Sequence, residues 1–309
     1  MKISVDFPSV AHREGTDKVA ALGQAIEAIG YDEIAVFDHV TMGYSAPGRP
    51  DSRYPPRMPV LEAFVLMTFL AAHTTTIGLA TEVLVLPQRQ PALVAKQVSA
   101  IDVLSNGRVR LGVGVGWQES EYESLQASYR DRGRRMDEAI ALLRAYFGDE
   151  QVDFDSEYYP TSAMAMEPKP VQGRGLPIWI GGGSAAALRR VASVGDGWMG
   201  SAILDDATII ESVQTIRRQA EARERDPDSI GLQMMLQPPP TNEAGKRFYG
   251  DLDAVAARAS SVAALGFEWI SVNATSVFQS GARSVDAVID ALGTMHDRLR
   301  IEVGGIARG

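Results

Sequence analysis

Apolar positions in this chain switch repeatedly between a period of two and a period of about 3.6, from one end to the other. Eight short β-rich runs read as strands: Lys2–Phe7, Glu33–Asp38, Thr76–Leu86, Val109–Gly114, Pro177–Ile180, Asp196–Gly200, Ile230–Leu236 and Trp269–Asn273. Between them lie stripes with helical spacing. Val19, Leu22, Ile26 and Ile29 share one face of a helix predicted over Asp17–Ile29, with Gly30 as its C-cap. Met136, Ile140, Leu143 and Phe147 repeat that stripe, and Val285, Val288, Ile289, Leu292, Met295 and Leu299 carry it in the last helix. Such alternation predicts parallel βα units. Eight pairs close a barrel, so the predicted fold class is α/β, a (β/α)8 TIM barrel forming a single domain over residues 1–309. A doubly wound sheet alternates in the same way but fits the strand count less well. Connections rich in Pro, Gly and polar residues at Thr41–Pro59, Phe154–Gly175 and Gln237–Gly250 read as insertions over the C-terminal mouth.

The segment TEVLVLPQRQPALVAKQVSAIDVLSNGRVRLGVGVGW, Thr81–Trp117, is the most informative of these units. Its first strand closes at Pro87, and Pro91 sits where a helix accepts a residue without an N–H. Leu93, Val94, Val98, Ile101 and Leu104 keep helical spacing until Ser105-Asn106-Gly107, a turn that tolerates positive φ. Val109, Leu111, Val113 and Val115 then alternate mainly with glycines, which lets backbone or ligand approach closely.

Composition narrows the function classes. A formal charge of −9 over 309 residues argues against general nucleic-acid binding. The basic cluster Arg130–Arg135 opens a helix and reads as a solvated or salt-bridged helix start. The longest apolar stretch, near Val60–Ala72, contains Glu62 and is too short for a membrane span. MKISVDFP runs straight into a strand without signal-peptide features, and the chain has no cysteine, so a cytoplasmic location and no disulfide framework are expected. The four histidines, His12, His39, His73 and His296, form no spaced metal cluster, so no metal is expected; His73 and His296 lie in helical stretches and read as packing or surface residues.

In a β/α barrel, reactive residues sit just past the C-terminal ends of strands. There the chain has Asp6, Asp38-His39, Thr81-Glu82-Val83, Gly114-Val115-Gly116-Trp117 and Gly181-Gly182-Gly183-Ser184. Three glycines before a helix free several backbone N–H groups at its positive end, so Gly181–Ser184 is a candidate phosphate site, with a ligand-free tight turn as the alternative. The GxGxG run at Gly112–Gly116 is weak as a dinucleotide fingerprint and better read as a bare backbone wall against a flat ring. His39 beside Asp38 could act as acid or base, or the two could be a structural pair. Glu82 interrupts an apolar strand, either as a functional position or as an outward-facing charge. No GxSxG, P-loop or HExxH motif appears, which disfavours hydrolases. A lyase or isomerase acting on a phosphorylated metabolite would want a catalytic lysine at a strand end, and none is evident.

At FDH (Phe37–His39), Thr81–Trp117, RGRRMDEAIALLR (Arg132–Arg144), PIWIGGGSAAALRRVA (Pro177–Ala192) and GDGW (Gly195–Trp198), the chain resembles the luciferase-like monooxygenase superfamily. These are bacterial-luciferase-type barrels that use reduced flavin or coenzyme F-420, and the pattern is closer to the F-420-dependent branch. The resemblance implies a ring cofactor in the barrel mouth, F-420 or alternatively FMN, and a non-proline cis peptide in strand three, here Glu82–Val83. It implies cofactor contacts from Asp38, Thr81, Glu82, Val83, Gly114, Gly116 and Gly181–Ser184, with His39 as the proton-transfer group. It also implies a small-molecule substrate and a homodimer. F-420-dependent glucose-6-phosphate dehydrogenases carry a catalytic glutamate directly after the fourth-strand glycines; Trp117 stands there in this chain, which points away from sugar phosphates toward an apolar or aromatic substrate. The expected activity is hydride transfer between F-420 and an organic substrate, the alternatives being an FMN-dependent, oxygen-using monooxygenase and a non-catalytic flavin-binding barrel.

Overall fold

A computed structural model describes residues 1–50, 52–200, 204–237 and 243–304. Its parallel strands are β1 Lys2–Asp6, β2 Glu33–Val36, β3 Gly78–Thr81 continued by Leu84–Val85, β4 Val109–Gly114, β5 Ile178–Gly181, β6 Gly197–Gly200, β7 Gly231–Met235 and β8 Trp269–Asn273. Each pairs with its sequence neighbours, β1 pairs with β8, and β3 pairs with β4, so the sheet closes on itself. The expected (β/α)8 barrel is therefore the observed one.

Closure follows from the pleat. Ile3, Val5, Ile34, Leu79, Leu111, Ile178 and Ile270 face outward and are fully buried beneath the helices. The helices around them are α1 Thr16–Ile29, α2 Ala63–His73, α3 Pro91–Leu104, α4 Glu119–Ser124, α5 Arg132–Gly148, α6 Ala185–Val194, α7 Asp206–Glu221, α8 Glu243–Arg247, α9 Leu252–Ala264, α10 Ala274–Gln279 and α11 Val285–Val303. Gly30 caps α1 at φ 101°, and α3 stops where Asn106 and Gly107 take φ 60° and 80°, as the turn chemistry predicts. No helix among the described residues is long and apolar enough to cross a membrane.

Two details differ from the sequence reading. The strand expected as one run over Thr76–Leu86 is Gly78–Thr81 and Leu84–Val85, broken at the cis Glu82–Val83 peptide that the family resemblance implies. Ala80 pairs with Arg110 but Leu84 with Val113, so four steps on β3 match three on β4 and the strand bulges by one residue. Second, Phe154–Gly175 does not cover the mouth. It holds an antiparallel hairpin, Val152–Phe154 with Thr161–Met164, outside α5. Its return leg bonds to the C-terminal ends of α3 and α5 through Gln172 to Asp102 and Lys169 to the carbonyls of Tyr146 and Asp149. A connection that follows a helix belongs to the opposite end of the barrel, and strand-to-helix connections alone reach the mouth. Of the Gln237–Gly250 connection, residues 238–242 lie outside the described residues.

Candidate active site

At the C-terminal ends of the strands lies a cavity of about 800 Å³, the size of a site for a ring cofactor and a small substrate. The bulge shapes its floor. Val83 projects between β4 and β5, where a Cβ on Gly114 or Gly181 would come within 2.8 and 2.9 Å of its methyl groups. Bare backbone at those two positions is therefore a packing requirement of the bulge, and it leaves a smooth wall beside the cavity.

His39 follows β2 and is buried, with its Nδ1 2.9 Å from Glu121 Oε2. The other oxygen of Glu121 accepts the backbone N–H groups of Val40 and Thr41 at 2.6 and 3.2 Å. Burial acts to raise the Glu121 carboxyl, but the His39 hydrogen bond and charge and the Val40 amide outweigh it and hold it below its ordinary value. Nδ1 being taken, Nε2 is the ring nitrogen available to the cavity. Phe37, Tyr54 and Trp117 surround the imidazole edge-on, with ring centroids 5.0, 5.8 and 5.6 Å from it.

Glu121 was missed by sequence reasoning. It sits on α4, a helix of six residues, too short for periodicity to show which of Glu119, Glu121 and Glu123 turns inward. The deciding contact is the buried Tyr122, whose hydroxyl donates to the Val115 carbonyl at 2.6 Å and anchors the helix against β4's continuation.

Asp38 lines the cavity, but its carboxylate is bound bidentately by Arg89 at 2.8 Å and accepts the Val85 N–H at 2.8 Å. It fixes the second half of β3 to the end of β2. Thr81 is fully buried and does not line the cavity; its hydroxyl donates to the Gly112 carbonyl at 2.6 Å, tying β3 to β4 just before the bulge. Glu82 is inward-facing: it is buried, lines the cavity and accepts from Ser271 Oγ at 2.8 Å. Burial pushes its carboxyl up to about 7, against the Ser271 hydrogen bond and the charge of Arg110.

Gly181, Gly182, Gly183 and Ser184 form the turn into α6 and line the cavity's far side. Gly182 takes φ 108°, and its carbonyl is turned away to accept Trp198 Nε1–H at 2.8 Å. Ser184 Oγ caps the helix by accepting the Ala187 N–H, which leaves its own proton free to donate. The positive end of a ten-residue helix thus faces the cavity, an arrangement suited to an anion. Among the described residues no cluster of His, Asp and Glu could hold a metal ion.

A Mycobacterium tuberculosis protein described as uncharacterized is 36% identical over 211 residues, covering 64% of this chain and 71% of that protein. An F-420-dependent glucose-6-phosphate dehydrogenase of Mycobacterium avium is 29% identical over 203 residues, 64% of this chain and 57% of that enzyme. The crystal structure of the monooxygenase RslO1 from Streptomyces bottropensis superposes with a TM-score of 0.79 at 17% identity, over 97% of this chain and 98% of that one. The model of the luciferase-like monooxygenase family matches residues 3–245, and the chain belongs to that family.

Proposed function

We propose that the protein is an oxidoreductase that transfers hydride between coenzyme F-420 and an uncharged, largely apolar organic substrate. The observation that carries this reading is His39, fixed at Nδ1 by a buried carboxylate and open at Nε2, in a cavity walled on one side by bare backbone and on another by a helix N-terminus. The residues suit a flat ring with a phosphate: Val83 with Gly114 and Gly116 against the ring, and Gly181–Ser184 at the phosphate. A deazaflavin ring supplies two-electron hydride chemistry when bound. His39 would hold or release the accompanying proton at Nε2, Asp38 and Glu82 would fix the ring's surroundings, and Phe37, Tyr54 and Trp117 would exclude water from the substrate. The F-420-dependent mycobacterial relative supports this cofactor. Its sugar phosphate is a poorer fit, since Arg53, an exposed side chain over Trp117, is the cation lining the cavity among the described residues.

A titration of the protein with F-420, FMN and FAD, followed by absorbance, tests the cofactor. Binding of F-420 in preference to FMN is expected; reduced FMN bound in the micromolar range without F-420 would show the oxygen-using monooxygenase instead. Replacing His39 with Ala is expected to lower turnover about 10²–10⁴-fold with F-420 binding retained. Absence of any turnover in the wild type would identify a binding barrel. Exposed Val65 on α2 and Leu93 on α3 support the further reading that the protein is a homodimer through these helices.

A further inference from the structure

Below the mouth, the barrel interior carries more acid than its cation balances. Arg110 on β4 is committed to Glu33 on β2: its Nε donates at 2.8 Å, and its Nη2 bonds both Glu33 and Gln233. Two carboxyls lie nearer the cavity. Glu82 leaves the β3 bulge and crosses the interior to Ser271 on β8. Ser271 is the register partner of Ser4, and Asp6 is the next inward residue on β1, two positions toward the mouth. Asp6 therefore sits on the level directly above the Glu82 anchor. Both side chains are buried and both line the cavity floor. Asp6 Oδ1 has no hydrogen-bond partner among the described residues.

The titratable and charged groups that face the pair are Glu33 and Arg110 from below, Tyr249 from the segment before α9, and Tyr54 from the connection after β2. Arg110, the one cation among them, is already paired. Two buried carboxylates beside a single, committed cation cannot both ionise at low cost. Burial raises Asp6 well above the ordinary carboxylate value and the charge of Glu82 adds to it, while Glu82 itself is raised.

We propose that Asp6 and Glu82 share a proton at neutral pH and form a hydrogen-bonding subsite on the cavity floor for one neutral oxygen, a carbonyl or a hydroxyl, of the organic substrate. This rests on the oxidoreductase reading above and specifies its substrate class as ketones and secondary alcohols in place of carboxylates or phosphates. The pair suits either partner of such a couple. A protonated carboxyl donates to a carbonyl oxygen, its ionised neighbour accepts from a hydroxyl, and an anion would meet uncompensated negative charge.

Infrared spectra of the cofactor-free, full-length protein labelled with ¹³C at Asp and Glu carboxyls test the proton directly. A protonated-carboxyl band is expected at pH 7, titrating away above the ordinary carboxylate range. It should be absent at pH 7 from the isosteric Asp6→Asn/Glu82→Gln double variant. No such band in the wild type, or an undiminished band in the double variant, overturns the proposal; the wild-type titration decides the matter even if the double variant does not fold. Calorimetry with cyclohexanone and cyclohexanecarboxylate on the F-420-loaded protein tests the ligand class. The ketone should bind at pH 6.5 and lose about tenfold in affinity once the pair is fully ionised, the cost of one hydrogen bond to a buried group. Preference for the carboxylate overturns the assignment. Failure of F-420 to bind at all would count against the oxidoreductase reading alone, because the infrared result needs no cofactor.

Discussion

At the scale of single residues, the site turns on how one imidazole is held. Glu121 spends both oxygens on the segment that carries His39, one on the ring and one on the two following amides. Changing Glu121 to Gln keeps the volume but removes the charge that orients the ring. Turnover is expected to fall about tenfold to a hundredfold, less than for loss of His39 itself, with F-420 affinity within a factor of three. Steady-state kinetics beside a fluorescence titration of the cofactor would check the split, and an equal loss in affinity would assign Glu121 a purely structural role. That His39 reaches the cavity was legible from the sequence because a strand-end position is a topological property. Glu121 was not, because its role depends on which way a six-residue helix faces, and only the packing of Tyr122 decides that.

At the scale of elements, the bulge in β3 and the glycines beside it are one device. A Cβ at position 181 would lie 2.9 Å from one Val83 methyl and 3.1 Å from the other, so Gly181→Ala must displace the bulge or the strand. Overpacking of this kind costs about 1–3 kcal/mol, and it should weaken F-420 binding at least tenfold. Urea denaturation together with cofactor titration measures both; the Gly181→Ala/Val83→Ala double variant should recover the stability. A second device sets the entry to β3. Glu27, near the end of α1, accepts the backbone N–H groups of Thr75, Thr76 and Ile77 at 2.6–2.9 Å. Burial opposes ionisation, but these bonds prevail and pull its carboxyl down to about 2. A carboxyl lowered in the folded state stabilises it above the ordinary value near 4.5, and that contribution is lost as pH falls from there toward 2. Since the group is largely solvent-facing, Glu27→Gln is expected to cost about 1–2 kcal/mol at pH 7 after allowance for screening, and little at pH 2. A cost that does not shrink on acidification would remove the charge from the explanation. The helix stop at Ser105–Gly107 and the glycine turn at Gly181–Ser184 were readable because their chemistry is local. The hairpin outside α5 was not, for its strands are short and half-exposed and bury too little to impose a period on the sequence.

At the scale of the whole molecule, the barrel inverts the usual rule of an apolar interior. Its apolar layer lies between strands and helices, and that layer wrote the two periods by which the fold could be read. The inside of the barrel instead mixes polar groups and glycines, Ser4, Asp6, Glu33, Arg110, Gly112, Gln233 and Ser271, with a few large side chains such as Trp179, Met199 and Trp269, so alternation along the strands announces it only weakly. At its base Arg110 lies between the indoles of Trp179 and Trp269, 4.2 and 4.3 Å from their centroids, and bonds Glu33 and Gln233. Gly197 and Gly231 are bare where Trp179 lies over them; a Cβ at either would come within 2.3 Å of the indole. Five strands, β2, β4, β5, β7 and β8, thus meet on one guanidinium just beneath the cavity floor. Glu33→Ala would leave that cation buried and unpaired, at an expected cost of about 3–5 kcal/mol in urea denaturation. Glu33→Ala/Arg110→Met removes the stranded charge and should regain most of the loss, despite forfeiting two ring contacts worth about 1 kcal/mol each. Because the plug sits below Glu82 and Ser271, the double variant should keep cofactor affinity within a factor of three at temperatures where it is folded. An inactive but stable double variant would instead mean that the charge at the base sets the protonation of the floor above it, since Arg110 is the cation that acts on Glu82.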